Sequence, residues 1–164
     1  MVNSPYLNEP NRLAEVISAI QAMGNYKFYK LDFEGWADRI SGEKNKAEHW
    51  KQVFVEHPEF FRLDAERMKV SLVWRRNYQK LYDIDGEKKL TREEFFQLSE
   101  EQRKRISRNP LTNADINTLI NTAINLHSRA LEHQKDTRWW RTILMSAGVG
   151  GMISVLGMVV GRLL

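Results

Sequence analysis

The chain of 164 residues contains no cysteine. That excludes disulfides, thiolate nucleophiles and cysteine-based zinc or iron–sulfur centres, and it fits a reducing compartment. A surplus of one charge sign is also missing. Residues 1–80 carry 13 Lys/Arg against 11 Asp/Glu, and residues 81–141 carry 11 against 10. The pI near 9.4 thus reflects a small excess of +4 and not a nucleic-acid-binding face. No leader is expected either. The start, MVNSPYLNEPNRL, has neither a basic n-region nor an apolar h-region, so insertion into a membrane is expected to rely on the C-terminal segment. No GxSxG, HExxH or P-loop is present. His127 and His133 are six apart, and His49 and His57 belong to another element, so metal-ligand spacing is absent. No catalytic residue, cofactor or metal is therefore expected. Apolar residues at 42% are enough for a packed core, which argues against wholesale disorder. No internal repeat is found.

What the chain does have is a run of twenty uncharged residues, 142–161, TILMSAGVGGMISVLGMVVG. As a helix this run spans about 30 Å, the thickness of a bilayer's hydrocarbon core. Trp139 and Trp140 precede it at the height of an aromatic belt, bracketed by Arg138 and Arg141, while only Arg162 follows. The bias predicts a single-pass, tail-anchored membrane protein with its N-terminal part cytoplasmic. The competing reading is a core helix of a soluble protein, but five glycines would each cost about 1 kcal/mol in a water-exposed helix. Within the run, Gly150, Ser154, Gly157 and Gly161 follow one another by four, three and four, forming a small-residue stripe on which two helices can approach closely. Self-association through this stripe is expected; the alternative is a span that stays single.

Upstream, the patterning predicts an α+β, mostly helical chain. Leu13, Val16, Ile17, Ile20 and Met23 recur at helical spacing, with Gly24 as a C-cap candidate. Residues 26–31 alternate as a brief aromatic strand. Asp32 can cap a second helix carrying Phe33, Trp36, Ala37 and Ile40, closed by Gly42. A third helix from about Lys44 buries Ala47, Trp50, Val53 and Phe54, and Pro58 ends it. Phe60, Phe61 and Leu63, a polar turn over 64–67, and Val70, Leu72 and Trp74 predict a hairpin. Residues 81–111 form a connector in which Thr91 with Glu94, and Ser99 with Gln102, are capping boxes of short helices. Residues 112–141 predict a helical stalk opened by Thr112 and Asp115, with Ile116, Leu119, Ile120, Ala123, Leu126, Ala130 and Leu131 on one face. Without Pro or Gly between residues 113 and 147, one helix can continue into the span.

The order helix, strand, helix, helix, hairpin over residues 9–76 resembles a winged-helix domain, here residues 1–80. The stretches HPEFFRLD and SLVWRRN are similar to those of small bacterial proteins, a similarity that implies no activity. The winged-helix resemblance implies a recognition helix at 44–57 and a wing tip at 64–68. A DNA reader would present Arg, Lys, Asn and Ser there. The outward set is instead Asn45, Glu48, His49, Gln52, Val55 and Glu56, with Asp64 and Glu66 at the wing, so carboxylates disfavour duplex although Lys44, Lys46 and Lys51 partly compensate.

Residues 81–95 resemble a calcium-binding EF-hand loop, but with Gly86 at the sixth position the first and twelfth fall on Leu81 and Arg92, neither of them a ligand. A plain turn is expected there. Arg103, Lys104, Arg105 and Arg108 form a basic cluster that either meets anionic lipid or answers Glu93, Glu94, Glu100 and Glu101; Arg75 and Arg76 are equally open. The expected function is a membrane-tethered protein-interaction module, whose partners are lipid, further copies of itself and an unidentified protein. The alternatives are a membrane-tethered DNA binder and a membrane-perturbing effector.

Overall fold

The computed structural model describes the backbone of residues 4–160 and the side chains of residues 4–136. It is α+β and mostly helical, with two small three-stranded sheets. By contact density the chain falls into two units, 1–125 and 126–164.

In the first unit, helix α1 (Arg12–Asn25) buries Val16, Ala19, Ile20 and Met23, four residues of one apolar face. The two-residue strand β1 (Leu31–Asp32) leads directly into helix α2 (Phe33–Ser41). Asp32 caps that helix by accepting a hydrogen bond from the Gly35 amide at 2.7 Å. Gly42, at φ +73°, closes it in the left-handed conformation glycine adopts without strain. A 3-10 turn over Lys44–Lys46 feeds helix α3 (Ala47–Glu56), which buries Trp50, Val53 and Phe54. Strands β2 (Phe61–Leu63) and β3 (Lys69–Leu72) form the expected hairpin, and β1 joins the other edge of β3 in an antiparallel sheet of order β1-β3-β2. The first sheet's β3 packs against α1, α2 packs on α3, and Trp36, wholly buried, donates its indole N–H to the Val70 carbonyl at 3.0 Å.

Three expectations change. Gly24 lies inside α1, which runs one residue further. A Cβ there would stand 2.9 Å from Ile116 Cγ1, so the glycine exists for close approach of a side chain and not for capping. Residues 26–30 are not strand, because other groups take their backbone positions: the Tyr26 and Lys27 carbonyls accept from Arg75, and the Tyr29 amide donates to Ser107 Oγ. Trp74 leaves the hairpin for a 3-10 turn, Trp74–Asn77.

Residues 81–111 hold more structure than a connector. Strands β4 (Tyr82–Asp83), β5 (Lys88–Lys89) and β6 (Ile106–Ser107) make a second antiparallel sheet of order β5-β4-β6. Helices α4 (Arg92–Gln97) and α5 (Glu100–Lys104) interrupt it, each opened by the full capping box that Thr91/Glu94 and Ser99/Gln102 predict. Helix α6 (Asn113–Val160) begins where Thr112 and Asp115 exchange side-chain and amide hydrogen bonds. Ile116, Leu119 and Ala123 are buried, Ile120, Leu126 and Ala130 half-buried, and Leu131 exposed, so the apolar face is covered only near the start of the helix.

Candidate functional site

The surface that unites the third helix with the hairpin is built from aromatic packing. Phe54 on α3 meets Phe61 on β2 with ring centroids 5.0 Å apart, and Phe33 stacks on Phe54 at 6.5 Å. Beside this contact an open cleft of about 330 Å³ lies between the end of α3 and the hairpin. Val55, Pro58, Phe61 and Leu63 line it with Arg62 and Arg67. Val55 stays 43% exposed, and Met68, on the hairpin, 62%.

The hairpin turn that carries the cleft's rim is held by one carboxylate. Asp64 Oδ1 accepts from the amides of Met68 (2.9 Å) and Lys69 (3.0 Å), and Oδ2 lies 3.4 Å from Lys30 Nζ. The Lys69 and Met68 amides with Lys30 outweigh desolvation and hold the Asp64 carboxyl below its ordinary range. The turn also places Arg67 at φ +57°. Neither Arg62 nor Arg67 meets a carboxylate among the described residues. The cleft therefore presents an apolar floor and two free guanidiniums, while its own acid is spent on backbone.

On the other side of α3 the charges pair internally. Arg12, 1% exposed, reaches Glu15 (3.0 Å) and Glu56 (3.2 Å), and His49 Nε2 lies 2.9 Å from Glu15. Gln52 donates to Glu56 and Lys51 to Glu48. Of the six residues expected to face outward, Asn45, Glu48, His49, Gln52 and Val55 are exposed, but Glu56 is half-buried.

At the C-terminal end of the helix, the His57 ring is fully buried against Tyr6, centroids 4.4 Å apart. Glu59 Oε1 is shared by His57 Nδ1 (3.0 Å) and the Tyr6 hydroxyl (3.1 Å). Burial would raise the Glu59 carboxyl, but the bond to His57, with its own backbone and Tyr6, brings it below the ordinary carboxylate value. Burial, then Glu59, pushes the Tyr6 phenol well above its usual value. These three tie the N-terminal segment to the end of α3.

Arg75, open in the sequence, is a structural hub. Its guanidinium donates to five carbonyls: Met23 (2.9 Å), Tyr26 (2.5 Å), Lys27 (3.5 Å), Arg108 (2.5 Å) and Asn109 (3.1 Å). Burial pulls its pKa down to about 10. Three arginines of the basic cluster are likewise engaged with protein. Arg105 makes two hydrogen bonds to Asp85 (2.5 and 3.0 Å), Arg103 donates to the Phe96 carbonyl (3.0 Å), and Arg108 donates to the Arg76 and Tyr78 carbonyls. In the loop resembling an EF-hand, Asp83 Oδ1 accepts from the Asp85 amide and Asp85 is spent on Arg105, so both acids serve the turn. Among the described residues no three His, Asp or Glu side chains gather as metal ligands would.

Arg138, Trp139, Trp140, Arg141, Gly150, Ser154, Gly157 and Gly161 lie outside the residues whose side chains are described, as does the expected span 142–161. Among the described residues, no helix is long and apolar enough to cross a membrane. The cleft was missed in the sequence, although the alternation of Phe61, Leu63 and Arg62 beside an outward Val55 marks its lining. Comparison with protein-family models, curated proteins and solved structures finds no match.

Proposed function

We propose that the chain is a membrane-tethered protein-interaction module. The uncharged run 142–161 serves as the single span, anchored by Arg138, Trp139, Trp140 and Arg141, and copies associate along Gly150, Ser154, Gly157 and Gly161. Residues 1–80 act as a winged-helix-like unit on the cytoplasmic side. The topology supports that likeness: three helices, then a hairpin whose inner strand also pairs with the strand between α1 and α2.

The observation that carries the interaction reading is the cleft between α3 and the hairpin. It offers Val55, Pro58, Phe61 and Leu63 where a duplex reader would offer polar and basic groups, and the exposed face of α3 adds Glu48. An apolar floor with a charged rim suits a protein segment. The test of the tether is alkaline extraction of membranes from cells expressing the full chain. The chain should stay in the pellet; release into the supernatant rejects the tether.

A second reading has one observation in its favour. Arg62 and Arg67 stand unpaired at the wing, where phosphate contacts would be made. A membrane-tethered DNA binder would retain duplex at low salt and lose it steeply as salt rises. The full chain in detergent is expected to show no such binding at low salt.

A further inference from the structure

Helix α4 carries two adjacent phenylalanines, and neighbours on a helix point about 100° apart, so both cannot be buried on one side. Phe95 is half-buried, with the Arg103 guanidinium over its face, 5.5 Å from its ring centre. Phe96 is left 71% exposed, the most exposed large apolar side chain among the described residues. It is not loosely held: the capping box fixes one end of α4, and Arg103 grips the Phe96 carbonyl at the other. Glu93, Glu100 and Glu101 surround it in sequence and make no ion pair among the described residues. An exposed aromatic, with unpaired acids three residues before it and four and five after it in the chain, is thus presented on a fixed element.

The cleft between α3 and the hairpin is its complement in shape class and charge. A cavity of about 150 Å³ admits a benzene ring, so the cleft's volume of about 330 Å³ accepts a phenyl group with part of its backbone. Its rim bears the two unpaired guanidiniums, and its only lining carboxylate, Asp64, is spent on the turn and Lys30. We propose that Phe96 of one copy seats in the α3–hairpin cleft of a second copy, with Arg62 and Arg67 answering Glu93, Glu100 and Glu101. Phe96 is exposed in its own chain, so the occupant comes from another. Knob and cleft are different surfaces, which makes the contact heterologous: each copy can give one and take one, yielding a ring or a chain of copies. The proposal rests on reading the cleft as a protein-contact surface and deepens it by naming the occupant.

The absence of cysteine makes the test clean. Two full-length populations with different tags, one Gln97→Cys and one Met68→Cys, are mixed in detergent and treated with a flexible bismaleimide. The mixed-tag adduct should exceed either like-with-like adduct. It should fall at least tenfold with Phe96→Ser, or with Arg62→Glu and Arg67→Glu together. Pairing the latter chain with one bearing Glu93→Arg, Glu100→Arg and Glu101→Arg should restore it. Adducts only between like positions, or a mixed adduct indifferent to Phe96→Ser, overturn the proposal. An acidic phenylalanine peptide that binds the cleft without any mixed adduct also overturns it. Absence of the mixed adduct between chains that keep Phe96, Arg62 and Arg67 and still pellet with membranes rejects this contact and not the tether. A persisting adduct in chains that alkaline extraction releases rejects the tether and not the contact.

Discussion

At the scale of single residues, three positions have effects out of proportion to their exposure. Arg75 satisfies five backbone carbonyls, one in the last turn of α1 and four outside helices and strands. Each carbonyl left bare on burial costs about 1–3 kcal/mol. Arg75→Lys, which keeps the charge but not the planar fork, should therefore lower stability by about 3 kcal/mol or more in urea unfolding. Gly24→Ala normally favours a helix, yet here the added methyl meets Ile116 at 2.9 Å. It should destabilise by about 1–3 kcal/mol, as overpacking does. A double-mutant cycle with Ile116→Ala should recover most of that loss. Tyr6→Phe removes a hydrogen bond to Glu59 and should cost about 1 kcal/mol at neutral pH, since the carboxylate is half exposed. The Glu59 pKa is lowered on folding, so its contribution is full above its ordinary value of 4.5 and is lost as pH falls through the lower folded value. The gap between wild type and Tyr6→Phe should accordingly narrow as the pH falls below 4.5, read as the difference in urea midpoints.

At the scale of elements, capping and turn chemistry were plain in the sequence because they are local. Thr91, Ser99, Thr112 and Asp32 all cap the helices their spacing implies. Removing one, as in Thr91→Ala, should cost about 1 kcal/mol and loosen α4 first, seen as faster amide exchange at Glu94. The second sheet was not legible. Its strands are two residues each, too short for alternation to show, and β4 pairs with β6 across two intervening helices. The strand expected over residues 26–31 is kept only at Leu31, for a related reason. Its alternation was real, but Arg75 and Ser107, distant in sequence, claimed its backbone groups.

At the scale of the whole molecule, the tether and the helix-packing stripe stand on sequence alone, since 142–161 lies beyond the described side chains. The reading predicts that Gly150→Leu with Gly157→Leu weakens oligomers in detergent by forcing backbones apart. An unchanged crosslinked distribution would count against the stripe. The Phe96 contact, by contrast, stands on side chains placed by the fold, so the two sources of assembly can be removed one at a time.

By itself the sequence determined what depends on neighbours in the chain: caps, turns, the periodic helices, the hairpin and the uncharged run. Burial follows periodicity, and local hydrogen bonds need only the right spacing. Only the tertiary structure decided which cations would be buried hubs, which glycine marks a close approach, and which aromatic is left outside. Those outcomes depend on partners far along the chain, such as Ile116 over Gly24 or Asn109 on Arg75, and no local pattern encodes them. The cleft belongs with them, because a concave surface exists only once α3 and the hairpin have packed.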